Sequence, residues 1–208
     1  MKRILGETAQ RLGLGLLVLG MLGLPGAVAA GPAIDVIKET VDGVLGILRD
    51  ASHDAAERRT LIREQIVSHF NFEAMAKSCM AQHWGKLQAA QKKEFIELFM
   101  ELLERSYMAK VESATNKKVT FTKEQASGSD YVKVFSQVSG GGDAAFDLEY
   151  SLAQVEGTWR VYDIVIEGVS LVANYRTQIN NMIVSKDVDF LLKSLRLKVE
   201  QEKAGDKK

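Results

Sequence analysis

The sequence predicts an α+β fold: helices packed over a curved four-stranded antiparallel sheet. Three observations predict it. Apolar residues recur at helical spacing from Ala33 to about Ala114, the period changes to two past Ser113, and helical spacing returns after Gly168. Strands gathered in one block, with helices before and after, make helices packed on a sheet.

Each element follows from its pattern. Ile37, Val41, Val44, Leu45 and Leu48 fall at i, i+4, i+7, i+8 and i+11, one face of a helix. A second helix is expected from about Asp54 to Phe70, carrying Leu61, Ile62, Ile66 and Val67. The broadest stripe lies in Gln91 to Val111, where Phe95, Leu98, Phe99, Leu102, Leu103 and Tyr107 share a side. Lys92, Lys93, Glu97, Glu101, Glu104 and Lys110 face away from it as a solvated surface.

The strands come next. Val119 to Phe121 begins a short one, and Tyr131 to Val138 reads as another. Gly140-Gly141-Gly142-Asp143 is a turn cluster; Phe146, Leu148, Tyr150 and Leu152 then alternate with polar neighbours. Glu156-Gly157 turns the chain into Thr158 to Ile166, and glycine turns make these strands an antiparallel meander. That last strand has apolar residues of both parities, which predicts that both its faces are covered. Val169, Val172, Tyr175, Ile179 and Met182 resume helical spacing, a final helix spans about Val188 to Lys203, and residues 204–208 are a polar tail.

The N-terminus reads as an address. Lys2, Arg3 and Arg11 precede an apolar run from Leu12 to Leu24, Pro25-Gly26 breaks it, and Ala27-Val28-Ala29 supplies small residues. This is the secretory signal pattern, with cleavage expected after Ala29 or Ala30. Residues 31–203 then form a single domain, exported and slightly acidic. The run is short for a membrane span of about 20 residues.

Composition closes several doors. The chain of 208 residues balances 27 basic against 27 acidic side chains, so no large positive field exists to hold nucleic acid. Its single cysteine, Cys79, excludes an intrachain disulfide and a cysteine-based structural zinc site. His53, His69 and His83 lack ligand spacing, no G-x-S-x-G elbow is present, and the glycine cluster is not followed by a phosphate-loop lysine. Asp163 and Glu167 share a strand face but stand about 13 Å apart at i and i+4, against the roughly 5–9.5 Å of paired-carboxylate glycosidases. A structural role suits them better: Asp163 satisfying backbone donors, Glu167 helping the chain leave the strand. No enzyme, metal or cofactor is expected.

What remains is apolar surface in quantity. It is either core alone or the wall of an apolar pocket enclosed by helices and sheet, and composition does not separate the two.

Two separated blocks carry a resemblance. Phe70-Asn71-Phe72-Glu73-Ala74-Met75, His83-Trp84 and Gln91-Lys92-Lys93-Glu94-Phe95 form the first. The second runs from Trp159 through Tyr162-Asp163-Ile164-Val165-Ile166-Glu167-Gly168-Val169-Ser170-Leu171 to Asn174-Tyr175-Arg176. Together they resemble the MlaC family, periplasmic phospholipid-binding proteins of the Mla (toluene-tolerance) transport pathway. The resemblance covers essentially the whole mature chain. One departure is Gln88-Ala89, where the family has Ser or Thr then Pro; loss of that N-cap should weaken the helix start by about 1 kcal/mol.

The resemblance implies a periplasmic carrier. It would be a monomer passing phospholipid between an outer-membrane lipoprotein complex and an inner-membrane ABC transporter with an MCE-domain component. Acyl tails would lie between sheet and helices, with Tyr162, Ile164, Ile166, Val169 and Val172 at or near the pocket. Periodicity adds Phe99, Leu103, Tyr107, Phe146, Leu148 and Tyr150, and Val169→Glu should empty the site. Two tails carry on the order of 30 methylenes, whose exposure would cost roughly 24 kcal/mol, so a carrier must enclose them. A polycyclic lipid such as a hopanoid as cargo, or an adaptor without ligand, are the competing readings.

Overall fold

The computed structural model describes residues 32–205. The signal segment and residues 206–208 of the expected tail lie outside them. Six helices and five strands follow in order: α1 (Pro32–Arg49), α2 (Ala55–His69), α3 (Phe72–Met80), α4 (Ala89–Glu112), β1 (Lys117–Ala126), β2 (Tyr131–Gly140), β3 (Phe146–Val155), β4 (Thr158–Ile166), β5 (Val169–Ser170), α5 (Leu171–Ser185) and α6 (Val188–Gly205). Short 3₁₀ turns at Ala81–Lys86 and Ser113–Asn116 flank α4.

The sheet is an antiparallel meander in the order β1-β2-β3-β4-β5. The expected sheet had four strands; β5 is a fifth, two residues long, pairing Val165 with Ser170 and Ile166 with Val169. It exists because Glu167 and Gly168 both take positive φ, 50° and 78°, the two-residue turn that suits a right-twisted hairpin. The turn at Glu156-Gly157 is built the same way. The last helix continues through Gly205, two residues into the stretch expected to be a tail.

Two bulges shape the sheet. One lies between Phe121 and Lys123, the other in β4, where Leu152 pairs with Val161 and Ser151 with Asp163, leaving Tyr162 extra. An inserted residue shifts the phase of a strand and increases its twist. Trp159 and Val161 before the bulge therefore share a face with Ile164 and Ile166 after it. The mixed parity of β4 records a phase shift and not a strand apolar on both sides throughout.

Packing forms three clusters, one of helix on sheet and two between helices. Met75, Met80, Phe95, Phe99, Leu102, Ile179, Leu191 and Leu192 join α3, α4, α5 and α6. Ala33, Ile34 and Ile37 of α1 lie on Val132, Val134, Leu152, Trp159 and Val161. Leu45 and Leu48 of α1 meet Ile62 of α2 and Met108 of α4. Helix α4 keeps its start without a Ser or Thr cap, since the Gln91 Oε1 atom accepts the Gln88 backbone N–H at 3.0 Å. The expected weakening is thereby offset from within the helix.

Candidate lipid-binding cavity

Between the three clusters the helices and sheet do not close on each other. They leave a cavity of about 660 Å³. Volumes of about 300–1,000 Å³ are ordinary for ligand pockets, and this one falls inside that range.

Its walls are assembled from every layer. Helix α1 supplies Ile37, Val41, Val44 and Leu45, the face read from the sequence spacing. Helix α2 supplies Ile66 and Val67, and the α2–α3 junction Phe70, Phe72 and Met75. Helix α4 adds Met100, Leu103, Tyr107, Met108 and Val111, and the sheet adds Val119, Val138, Phe146, Leu148, Tyr150, Ile164 and Ile166. Leu171 at the start of α5 completes the apolar lining.

Seven of the eleven expected site residues thus come together on the wall: Leu103, Tyr107, Phe146, Leu148, Tyr150, Ile164 and Ile166. Four do not. Phe99 stacks on Phe95 at 5.8 Å and meets the Tyr175 ring edge-on at 5.4 Å, inside the α4–α5–α6 core. The reason is the breadth of the stripe: at about 100° per residue the α4 wall residues span an arc from Leu103 round to Met108, and Phe99 falls just outside it, on the side that meets α5. Val172 is buried in that same core. Tyr162 is the bulged residue, turned against the Tyr131 ring edge-on at 6.0 Å. Val169 sits in the β4–β5 hairpin and is 57% exposed.

The residues that sequence reasoning left out of the site were legible only in part. The α1 stripe was visible as an apolar face, without a sign that part of it faces empty space. Met100, Met108 and Val111 flank the α4 stripe and carried no signal of their own.

The second resemblance block has a structural explanation. Asp163 Oδ1 accepts the Val172 N–H at 3.0 Å and its Oδ2 accepts the Ser170 hydroxyl at 2.6 Å, while Ser170 Oγ accepts the Ala173 N–H at 3.0 Å. These are the donors that the first turn of α5 leaves unpaired. Glu167 Oε1 accepts the Asp147 N–H at 2.7 Å. Asp163 thus joins strand to helix, whereas Glu167 ties the β4–β5 turn to the start of β3. The α2–α3 junction is held against β4 by the Asn71 N–H, which donates to the Val161 carbonyl at 2.8 Å.

The burial that makes the cavity apolar also perturbs the groups near it. Burial pushes the Tyr150 phenol up to about 12. Burial also raises Tyr107, with a smaller push from Tyr175. Cys79, behind the wall in the helical core, is pushed up to about 12 chiefly by burial, and its Sγ lies 3.6 Å from the Val172 carbonyl. A thiol held protonated in this way is a packing residue.

Charge is confined to the rim, where Arg63, Glu104, Lys110, Lys117 and Glu167 border the cavity. Arg63 Nε pairs with Glu104 Oε2 at 3.1 Å and Arg59 with Glu112 at 2.7 Å, both tying α2 to α4. Among the described residues no cluster of His, Cys, Asp and Glu could hold a metal ion, and no helix is long and apolar enough to cross a membrane. An apolar cavity with a charged rim suits an amphipathic ligand whose apolar part goes inside.

Comparison with known proteins agrees with this geometry. The family model described as MlaC protein matches residues 38–197. The intermembrane phospholipid transport system binding protein MlaC of Haemophilus influenzae is 21% identical over 147 residues, 69% of either chain. Toluene tolerance protein ttg2D of Pseudomonas putida is 26% identical over 162 residues, 73% of either chain. A phospholipid-binding protein from Ralstonia solanacearum, solved in complex with a phospholipid, superposes with a TM-score of 0.75 at 25% identity, covering 83% of this chain and 99% of its own. The chain belongs to the MlaC family.

Proposed function

We propose that this protein is a periplasmic phospholipid carrier, exported by its N-terminal signal and holding acyl tails in the cavity between α1, α4 and the sheet. The observation that carries the reading is the apolar void itself, bounded by well-packed cores on three sides and charged only at its rim. The phospholipid bound to the Ralstonia relative supports the cargo, and the Haemophilus relative's role in intermembrane phospholipid transport supports the pathway.

Volume constrains how the cargo sits. A methylene fills about the same space as a water, roughly 30 Å³, so 660 Å³ takes about 22 of them. Two full tails carry more. A diacyl lipid therefore spreads the helices from the sheet or leaves the carbons nearest the glycerol in the mouth. Spontaneous release exposes every enclosed methylene at about 0.8 kcal/mol each, so handover requires a partner that receives the tails directly. An inner-membrane ABC transporter complex with an MCE-domain component and an outer-membrane lipoprotein complex are the partners of this reading.

Native mass spectrometry of the mature protein purified without detergent, with lipid extracted from the same sample, tests it. A stoichiometric phospholipid adduct is expected. A clean apo mass with no uptake from liposomes would overturn it, and a polycyclic lipid adduct would change the cargo.

A further inference from the structure

The five charged side chains on the cavity rim are not equivalent. Arg63 is paired with Glu104 at 3.1 Å. Lys117 Nζ donates to Asp143 Oδ2 at 2.6 Å and to the Gly140 carbonyl at 2.8 Å. Glu167 accepts the Asp147 N–H at 2.7 Å. Lys110 is different: its ammonium lies 5.3 Å from the centre of the Tyr107 ring, and no carboxylate among the described residues stands within ion-pair distance of it.

That position is a border. Tyr107 is cavity wall, Lys110 is exposed at the last turn of α4, and the next wall residue, Val111, turns back inside. The ring fixes where the ammonium stands, since a cation prefers the face of an aromatic ring. A glycerophospholipid with its tails in the cavity carries its phosphodiester one short glycerol linker beyond the apolar lining, which brings the anion to this rim. A cation already engaged by a carboxylate gains little from a second anion; one without a carboxylate gains the full pairing.

We propose that Lys110 is the seat of the lipid phosphate, the group that gives the carrier a preference for phosphate-bearing lipids over neutral ones with the same tails. This rests on the carrier reading above. A competing role exists on the same residue: a cation in the last turn of a helix stabilises the exposed carbonyls there, with no bearing on ligand.

The test compares two lipids that differ only in the phosphate headgroup. Delipidated mature protein is loaded from phosphatidylglycerol vesicles containing a minor fraction of diacylglycerol with the same chains, and bound lipid is extracted and quantified. In the native protein the ratio of phosphatidylglycerol to diacylglycerol should exceed that of the vesicle by roughly fivefold, the strength of one ion pair in water. Lys110→Gln should bring that enrichment to about one, Lys110→Arg should keep it, and Lys118→Gln, exposed and outside the cavity lining, should leave it alone. A Lys110→Gln protein that retains the native preference, or one that merely unfolds more easily with the preference intact, overturns the proposal. So does loss of the preference in Lys118→Gln but not in Lys110→Gln. Phosphorus NMR of the lipid-free protein with inorganic phosphate separates the other source: free phosphate bound through Lys110, with no effect of Lys110→Gln on the lipid ratio, would make this a phosphate site and not a headgroup seat. Failure of every variant, native included, to load either lipid would instead bring down the carrier reading.

Discussion

The concave face of the sheet has two ends made of the same kinds of residue, and they behave differently. At one end Val132, Leu152, Trp159 and Val161 are buried under Ala33, Ile34 and Ile37 of α1. At the other, Val119, Val138, Phe146, Leu148 and Ile166 face the cavity. In β2 and β3 the alternation does not change between the ends, and the bulge in β4 keeps Trp159, Val161, Ile164 and Ile166 on the same face. What changes is the element opposite. The start of α1 is drawn down onto the sheet, where its Ile34 N–H donates to Glu124 Oε2 at 2.8 Å, while Arg59 and Arg63 of α2 pair with Glu112 and Glu104 at the end of α4, on the cavity's other wall. A hydrophobic face becomes core or pocket according to how closely its partner can approach.

The comparison can be broken most sharply by charge. Leu103→Glu or Ile166→Glu would put a carboxylate among acyl chains, a burial costly enough that lipid load should be lost, as read by extraction from purified protein. Val169→Glu, which the sequence argument ranked as a wall substitution, should leave the load intact because that side chain faces solvent.

Truncation distinguishes the ends by stability. Leu152→Ala at the filled end should cost about 2–5 kcal/mol in urea unfolding, since it opens a new void in packed core. Leu148→Ala at the empty end borders a void already and should cost only about 1 kcal/mol. Equal losses would mean that the two ends are packed alike.

Tyr150 sits where the ends meet, in the sealed cluster and on the cavity wall together. Its folded pKa is raised to about 12 from an ordinary value of 10.0, so the stability it contributes is complete below pH 10 and lost as pH rises toward 12. The loss should be on the order of 2 kcal/mol, and Tyr150→Phe should remove that part of the alkaline slope in urea midpoints. Cys79, raised to about 12 from 9.0, should add a slope beginning one pH unit lower that Cys79→Ala removes. The smallest effect belongs to Glu124→Gln, which exchanges a charged acceptor of the Ile34 N–H for a neutral one. About 1 kcal/mol of stability should go, with lipid load unaffected, since the change loosens only the filled end.

Much of the cavity wall was legible beforehand, and the residues that fell elsewhere did so for particular reasons. Leu148, Tyr150, Ile164 and Ile166 followed from alternation because strand period is rigid and register keeps one face together. Phe99 fell outside the wall because a stripe that broad faces two neighbours: Leu103 and Tyr107 border the cavity while Phe99 packs on Phe95 and Tyr175. Tyr162 misled because a bulge has no sequence mark of its own: it shows only when Leu152 and Ser151 are seen to pair with Val161 and Asp163.

By itself, the sequence determined the succession of helices and long strands and the turn at Glu156-Gly157, but not the hairpin into β5. These depend on local propensity, spacing and side-chain inventory, which a chain carries whether or not it is folded. Only the tertiary structure decided that three cores would form and that the space among them would stay open. An apolar residue lowers its free energy by leaving water, whether its neighbour is another side chain or a ligand's tail; which neighbour it meets depends on how α1, α2 and α4 pack over the sheet.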